Sequence, residues 1–409
     1  MRHLCVLLLF GISATQLAAE SYRFGRVWTG DTALTNAVIV VENGKIRSIG
    51  TGEGVQGPVI DMSRFTAIPG LIDAHTHLTY VAAAVSAKVG MPARSSAMVY
   101  LSQENARKTL ETGVTTVRNL GAQDYQDIAM RDLINAGLMV GPRMFVSGYG
   151  LFISRGTNPG PGTADGPAEV MKVVRRQVAA GADVIKMYGS TGSGQDVTGF
   201  ETFTYEEMKA AVDAAHALGK RIAIHTYGPA GARDAIRAGT DSLEHATDMD
   251  DETIAELARK KIWYVPTIDH NRYYVDNSKM LGYPPEAPVA LNDFIARNLE
   301  TTRKAVRAGV RFAMGSDAVY TMFGENTREL GWYVKAGMTP EQALRTATVE
   351  GAALLGMEDK LGRLKPGSFA DIVAVEGNPL EDINAVINGV RWVMKGGAVV
   401  VDKTGRTSR

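Results

Sequence analysis

Pro69-Gly70-Leu71-Ile72-Asp73-Ala74-His75-Thr76-His77 is an apolar run that ends in two alternating histidines. Residues two apart in a strand point the same way, so both imidazoles face one site at the strand's carboxyl end. The pattern recurs along the chain. His225 follows Ile222-Ala223-Ile224, and His245 follows Ser242-Leu243-Glu244. Lys186 follows Val184-Ile185, and Asp317 follows Met314-Gly315-Ser316. Further short apolar runs lie at Val114 to Val117, Met144 to Val146 and Trp263 to Val265, with another at Phe312 to Met314. Helix signals stand between them. Thr204-Tyr205-Glu206-Glu207 is a capping box predicting a helix to about Leu218, closed by Gly219. Thr339-Pro340-Glu341-Gln342 opens another, with proline at the first helical position. Strand, loop and helix repeating about eight times over 69–358 predicts an α/β fold, a (β/α)8 TIM-type barrel. In such a barrel the carboxyl ends of the strands carry the chemistry.

The flanks have a different texture. Ala37 to Val41, a turn at Asn43-Gly44 and Lys45 to Ile49 form a predicted hairpin. Ala370 to Val375, Val390 to Met394 and Ala398 to Val401 are short apolar strands at the other end. Residues 20–68 and 359–409 are therefore expected to build one composite β-sandwich domain. Residues 1–19 have the form of a signal peptide: Arg2 and His3, an apolar run from Leu4 to Ile12, then Leu17-Ala18-Ala19 before Glu20. That predicts a periplasmic or secreted protein, with no membrane span in the mature form. The single cysteine, Cys5, excludes an intramolecular disulfide and a thiolate metal cage.

Composition bounds the function. Hydrophobic residues at 45% and charged residues at 22% are ordinary globular composition and exclude a disordered or fibrous chain. Lys+Arg and Asp+Glu are both 44, which argues against a nucleic-acid partner. A small-molecule or dipeptide substrate fits better. A homo-oligomer is left open by the linear pattern.

Neutral imidazole and carboxylate suit zinc and its neighbours. Taken singly, His75 and His77 are an incidental pair, His225 and His245 are packed histidines, Lys186 points at solvent and Asp317 is a turn residue. Taken together, six such residues at successive strand ends point to metal binding. Four histidines and an aspartate exceed one tetrahedral ion and suit two ions sharing a bridge. Lys186 ligates only after its amine has been converted to a carbamate.

These motifs resemble the amidohydrolase superfamily of metal-dependent hydrolases over nearly the whole mature chain. Ala67 to His77 resembles that family's opening strand. Val184-Ile185-Lys186, Ile224-His225-Thr226 and Leu243-Glu244-His245 resemble its fourth, fifth and sixth strand motifs, and Gly315-Ser316-Asp317 its eighth. Gly362 to Asp371 resembles the return into the accompanying β-sandwich. The chain is most similar to the imidazolonepropionase-like and prolidase-like branch, which includes Xaa-Pro dipeptidases and carboxypeptidases for basic residues. The resemblance implies two divalent ions, with zinc the expected metal. His75, His77 and Asp317 would hold the more buried ion, and His225 and His245 the other. Carboxylated Lys186 and a hydroxide would bridge them, and Asp317 would serve as general base and then acid in amide cleavage.

The chain departs from that pattern at two places. The peptidase members carry His-Ala-His-Gly at the fifth strand, where this chain has His225-Thr226-Tyr227-Gly228. They also place a substrate-contacting histidine after the third strand, where this chain has Ser147-Gly148-Tyr149-Gly150-Leu151-Phe152. Tyr227 either donates a hydrogen bond to the substrate carbonyl or packs in the barrel mouth. His270, Tyr149 and Arg155 are the further candidate substrate contacts, Arg155 as a carboxylate clamp. The glycine-rich stretch Gly189 to Gly194 lacks the Lys-Ser/Thr of a phosphate loop and is an ordinary loop. The expected reaction is hydrolysis of a dipeptide or N-acyl amino acid. Cyclic amides of the imidazolone or hydantoin type, lactones and phosphotriesters are the alternatives. A catalytically dead ligand-binding barrel is the non-enzymatic one, and the complete donor set argues against it.

Overall fold

The computed structural model describes residues 19–53, 55, 57–81, 95–154, 160–194 and 196–405. The expected signal segment, apart from Ala19, and Arg155 lie outside them. Among the described residues no helix is long and apolar enough to cross a membrane.

The strands of the two flanks meet in one sheet. β1 (Glu20–Trp28), β2 (Ala33–Glu42), β3 (Lys45–Gly50) and β4 (Val59–Pro69) come from the amino-terminal side. The middle of the chain supplies β5 (Leu71–Thr76), β6 (Val114–Asn119), β7 (Arg143–Val146), β8 (Val184–Tyr188), β9 (Arg221–Thr226), β10 (Ser242–His245), β11 (Trp263–Val265) and β12 (Arg311–Phe312). β13 (Ile372–Val375), β14 (Val390–Lys395) and β15 (Ala398–Asp402) close the series. The terminal sheet runs β15-β14-β13-β4-β1-β2-β3. Asn43 and Gly44 turn the β2–β3 hairpin with φ of 51° and 75°, the left-handed pair that such a turn requires.

The strands of this flanking domain form one curled seven-stranded sheet. β1 and β14 stand three strand spacings apart in the hydrogen-bonded order, roughly 14 Å if the sheet were flat. Yet the rings of Tyr22 and Trp392 are 5.2 Å apart. The sheet therefore folds over, and Phe24, Ile39, Met62, Ile372 and Trp392 fill its inside. Strand alternation sends the neighbouring residues Val373 and Val375 into the main core.

The middle of the chain forms two parallel sheets, β5-β6-β7 and β8 to β12 in consecutive order. Parallel strands with both faces covered are buried along nearly their whole length, as β5, β8 and β9 are. The sheets are hydrogen bonded to each other at both seams. Asp183 N donates to Val146 O at 2.7 Å and Leu151 N to Lys186 O at 2.9 Å. On the other side Ala74 N donates to Met314 O, and Asp317 N to His75 O, each at 2.7 Å. The connecting helices follow their sequence signals. Tyr205–Ala217 opens on the Thr204–Glu207 capping box and Pro340–Thr346 on the Thr339–Gln342 box.

Candidate active site

Four strand ends and the turn after β12 deliver six polar side chains to one cavity of about 990 Å³, lined by His75, His77, Lys186, His225, His245 and Asp317. All six are buried. His75 belongs to β5, and His77 lies one residue past its end. Lys186, His225 and His245 lie within β8, β9 and β10. β12 stops five residues short of Asp317, so this side chain is placed by its backbone bond to His75 rather than by a strand.

The first cluster is His75, His77 and Asp317, whose donor atoms all lie within 4.8 Å of one another. Asp317 Oδ1 is 3.1 Å from His77 Nε2 and 3.5 Å from His75 Nε2. Asp317 Oδ2 is 3.3 Å from His270 Nε2. The second cluster is His225 and His245, with ring centroids 4.5 Å apart, beside Lys186. His245 and Asp317 have φ of 72° and 49°. Left-handed backbone at such residues costs on the order of 1–3 kcal/mol and is held only where the surroundings enforce it.

Each imidazole of the first cluster is keyed through its other nitrogen. His75 Nδ1 lies 2.7 Å from Glu244 Oε2. Burial would raise the Glu244 carboxyl, but Arg118 and His75 hold it at about 2. An ionised carboxylate only accepts, so His75 carries its proton on Nδ1 and turns the Nε2 lone pair to the cavity. His77 Nδ1 faces Gly121 O at 3.5 Å. In the second cluster His245 Nδ1 lies 2.6 Å from Thr267 Oγ1. Burial keeps His75 down at about 4, and holds His225 and His245 well below the usual range. Neutral imidazole is the form that ligates metal.

The residues fit a metal pair. His75 Nε2, His225 Nε2 and Lys186 Nζ are buried with no hydrogen-bond partner among the described residues. Three such atoms facing one cavity are costly unless something coordinates them. Lys186 is 1% exposed, and burial brings its ammonium down to about 8. Burial would raise Asp317, but His270, His75 and His77 hold it well below the usual carboxylate range.

Supporting residues that sequence reading passed over lie directly beneath. Arg118, 1% exposed, donates from Nη2 to Glu244 Oε1 and from Nη1 to Ser242 Oγ, both at 2.9 Å, and from Nε to Ala74 O. Asp73 accepts from Ser316 N and Asn326 Nδ2 at 2.9 Å, and from Ser316 Oγ. It thereby ties β5 to the turn that bears Asp317. Burial pushes the Asp73 carboxyl up to about 6. Arg118 and Glu244 are each the one acidic or basic residue, histidine aside, in a fully buried parallel strand, where a charge must be paired.

The other candidates divide. Tyr227 lines the cavity and is 2% exposed, stacked between His225 at 5.1 Å and Phe294 at 4.7 Å. It both packs and faces the site. His270 sits in a helix, Ile268–Asp276, rather than in a loop, and its Nδ1 donates to Asp317 O at 2.8 Å. Glu329 fixes that helix start by accepting from Ile268 N at 3.0 Å and Asp269 N at 2.8 Å. Tyr149 is a correction. It does not line the cavity, because its hydroxyl is drawn to Asp124 Oδ1 at 2.8 Å in the loop after β6.

A parallel α/β core with a histidine, lysine and aspartate cluster at its strand ends is the signature of a metal-binding hydrolase. The chain belongs to the amidohydrolase family, whose model matches residues 66–400. It is an enzyme that hydrolyses carbon–nitrogen amide bonds. Ochratoxinase of Aspergillus niger is 30% identical over 405 residues, covering 89% of this chain and 82% of its own. The crystal structure of a Xaa-Pro dipeptidase with bound methionine in the active site matches with a TM-score of 0.84 at 32% identity, covering 93% of this chain and 99% of that one. Imidazolonepropionase of a Geobacillus species is 24% identical over 420 residues, covering 91% of this chain and 92% of its own. These similarities agree with the branch that the strand motifs resemble.

Proposed function

We propose that the protein is an exported binuclear amidohydrolase that cleaves a dipeptide or an N-acyl amino acid. The observation that carries this is the convergence of six buried donors on one cavity, three of them with an unpartnered atom. In this reading the two parallel sheets close into a (β/α)8 barrel over 69–358. The flanks 20–68 and 359–409 form the accessory β domain, and residues 1–19 direct export.

His75, His77 and Asp317 would hold one divalent ion and His225 and His245 the other, with zinc the expected metal. Lys186 would bridge them as its carbamate, a modification that starts from the neutral amine that burial favours. When bound, such ions polarise a carbonyl and lower the pKa of water. The protein's own part follows from position. Asp317 presents Oδ1 to His75 and His77 and Oδ2 towards His270. Oδ1 is turned to the two histidines, which would leave Oδ2 to take a proton from the attacking water and return it to the leaving amine. His270 positions Asp317 by donating from Nδ1 to its backbone carbonyl. Tyr227, kept protonated by burial, donates to the carbonyl oxygen as charge develops.

The test pairs metal content, by elemental mass spectrometry on protein purified without chelators, with a ninhydrin screen of dipeptides and N-acyl amino acids. Two metals per chain with amine release is the expected result. Two metals without release would move the substrate to cyclic amides, lactones or phosphotriesters. Protein that neither holds nor reloads metal would overturn the reading.

A further inference from the structure

The cavity is polar at its floor, yet one wall is aromatic. Phe152 is 40% exposed and lines the cavity. Of the large apolar side chains left exposed among the described residues, it is the one that does so. Exposed apolar surface inside a binding cavity is a cost that a ligand can recover.

The ring is also held in place. Phe152 stacks on Tyr188 with centroids 4.2 Å apart and planes 13° apart. Tyr188 stands two residues beyond Lys186 at the end of β8 and is hydrogen bonded to Tyr80. Tyr80 in turn stacks on His77 at 4.6 Å and 24°. The backbone beneath is equally constrained. Phe152 N donates to Gly162 O and Ala164 N to Phe152 O, both at 2.9 Å. A Cβ on Gly150 would lie 2.4 Å from Tyr188 Cε2, so only glycine lets the chain pass this close under the ring. One face of Phe152 is thus occupied by Tyr188, and the ring lines the cavity beside the donor cluster. Ile153 and Val173 extend the same wall.

We infer that Phe152 is a stacking platform for a planar aryl group of the substrate, so that the amides cleaved best carry an aromatic ring. This rests on the amidohydrolase reading above and narrows its substrate class. Aromatic stacking adds selectivity over an aliphatic group of equal bulk, on the order of 2- to 10-fold. The rigid chain from Phe152 to His77 is what makes that selectivity affordable, because no side-chain freedom is lost on binding.

The experiment uses zinc-reconstituted enzyme and two matched pairs. N-benzoyl-alanine is set against N-cyclohexanecarbonyl-alanine, and N-acetyl-phenylalanine against N-acetyl-cyclohexylalanine. The readout is the ratio of kcat/KM within each pair, which does not depend on how much of a variant is folded. The aryl member is expected to win in the pair whose ring reaches Phe152. Phe152→Ala and Phe152→Leu should bring that ratio towards unity through KM, and Phe152→Tyr should keep it. Calorimetric binding of benzylphosphonate against cyclohexylmethylphosphonate gives the same comparison without turnover. Selective binding lost in Phe152→Leu, in a protein that cleaves no amide, would keep the platform and reject the amidase reading. Ratios near unity in the parent, or ratios unmoved by both Phe152→Ala and Phe152→Leu, would overturn the platform.

Discussion

His75, His77 and Asp317 arrive at the cavity with donor atoms within 4.8 Å of one another, whereas His225 and His245 join no such trio among the described residues. In the first group, Glu244 keys His75, and Asp73 ties the strand of both histidines to the turn of Asp317. In the second group, Thr267 anchors His245 and the backbone of Thr191 anchors His225. The first group is a preassembled site. In the proposed reading the second would be complete only once Lys186 is a carbamate. One half would then be set by packing alone, and the other by packing and a modification.

Replacing Asp317 by Asn tests the preassembled half most severely. Turnover should fall by about 10²- to 10⁴-fold, read as kcat beside metal content. A variant near parental kcat would remove Asp317 from the proton transfer. Lys186→Ala tests the other half. It should lose metal from the His225–His245 side and most of its activity, with partial return on adding short carboxylic acids such as acetate or propionate. A full metal load without rescue would break the distinction between the halves.

Glu244→Gln sharpens the comparison at the His75 side. Metal affinity should fall by about 10- to 100-fold, measured by competition with a chelator. The same variant has a pH signature in the metal-free protein. Glu244 sits at about 2 in the folded state, below its ordinary 4.5. Its contribution to stability is therefore present above pH 4.5 and is lost as pH falls towards 2. Denaturant titrations across that window should show a flatter acid limb in Glu244→Gln, and an unchanged slope would place the buried charge elsewhere. The smallest effect is expected from Thr267→Val. Losing one hydrogen bond to His245, worth about 1 kcal/mol, should weaken metal binding on that side roughly fivefold.

The donor set was legible because it repeats one local pattern, an apolar run ending in a polar residue. Val184 to Lys186 and Ile222 to His225 display it without any knowledge of pairing. The curled terminal sheet was legible only as strands. Its closure depends on Trp392 meeting Tyr22, residues far apart in the chain, and no local pattern records that contact. Tyr149 and Phe152 show the same limit at the site. They lie three residues apart in one loop, yet a hydrogen bond to Asp124 takes Tyr149 away and a stack on Tyr188 keeps Phe152 in place. The Arg118–Glu244 pair was half visible. Each charge stood out in its strand, but the pairing of β6 with β10 across the interior did not.

The order of the terminal sheet also governs when the site can form. β4 pairs with β1 on one edge and with β13 on the other, and it leads within two residues into β5, which bears His75. Gly70 N, at the junction, donates to Asp371 O at 2.8 Å. The first metal-binding strand is thus moored to a segment about 300 residues further along the chain. Until Ile372–Val375 has been synthesised, β4 keeps an open edge, a template for pairing with other chains. A chain lacking β13 would therefore expose this edge of β4 and be directed towards aggregation rather than towards a half-active enzyme.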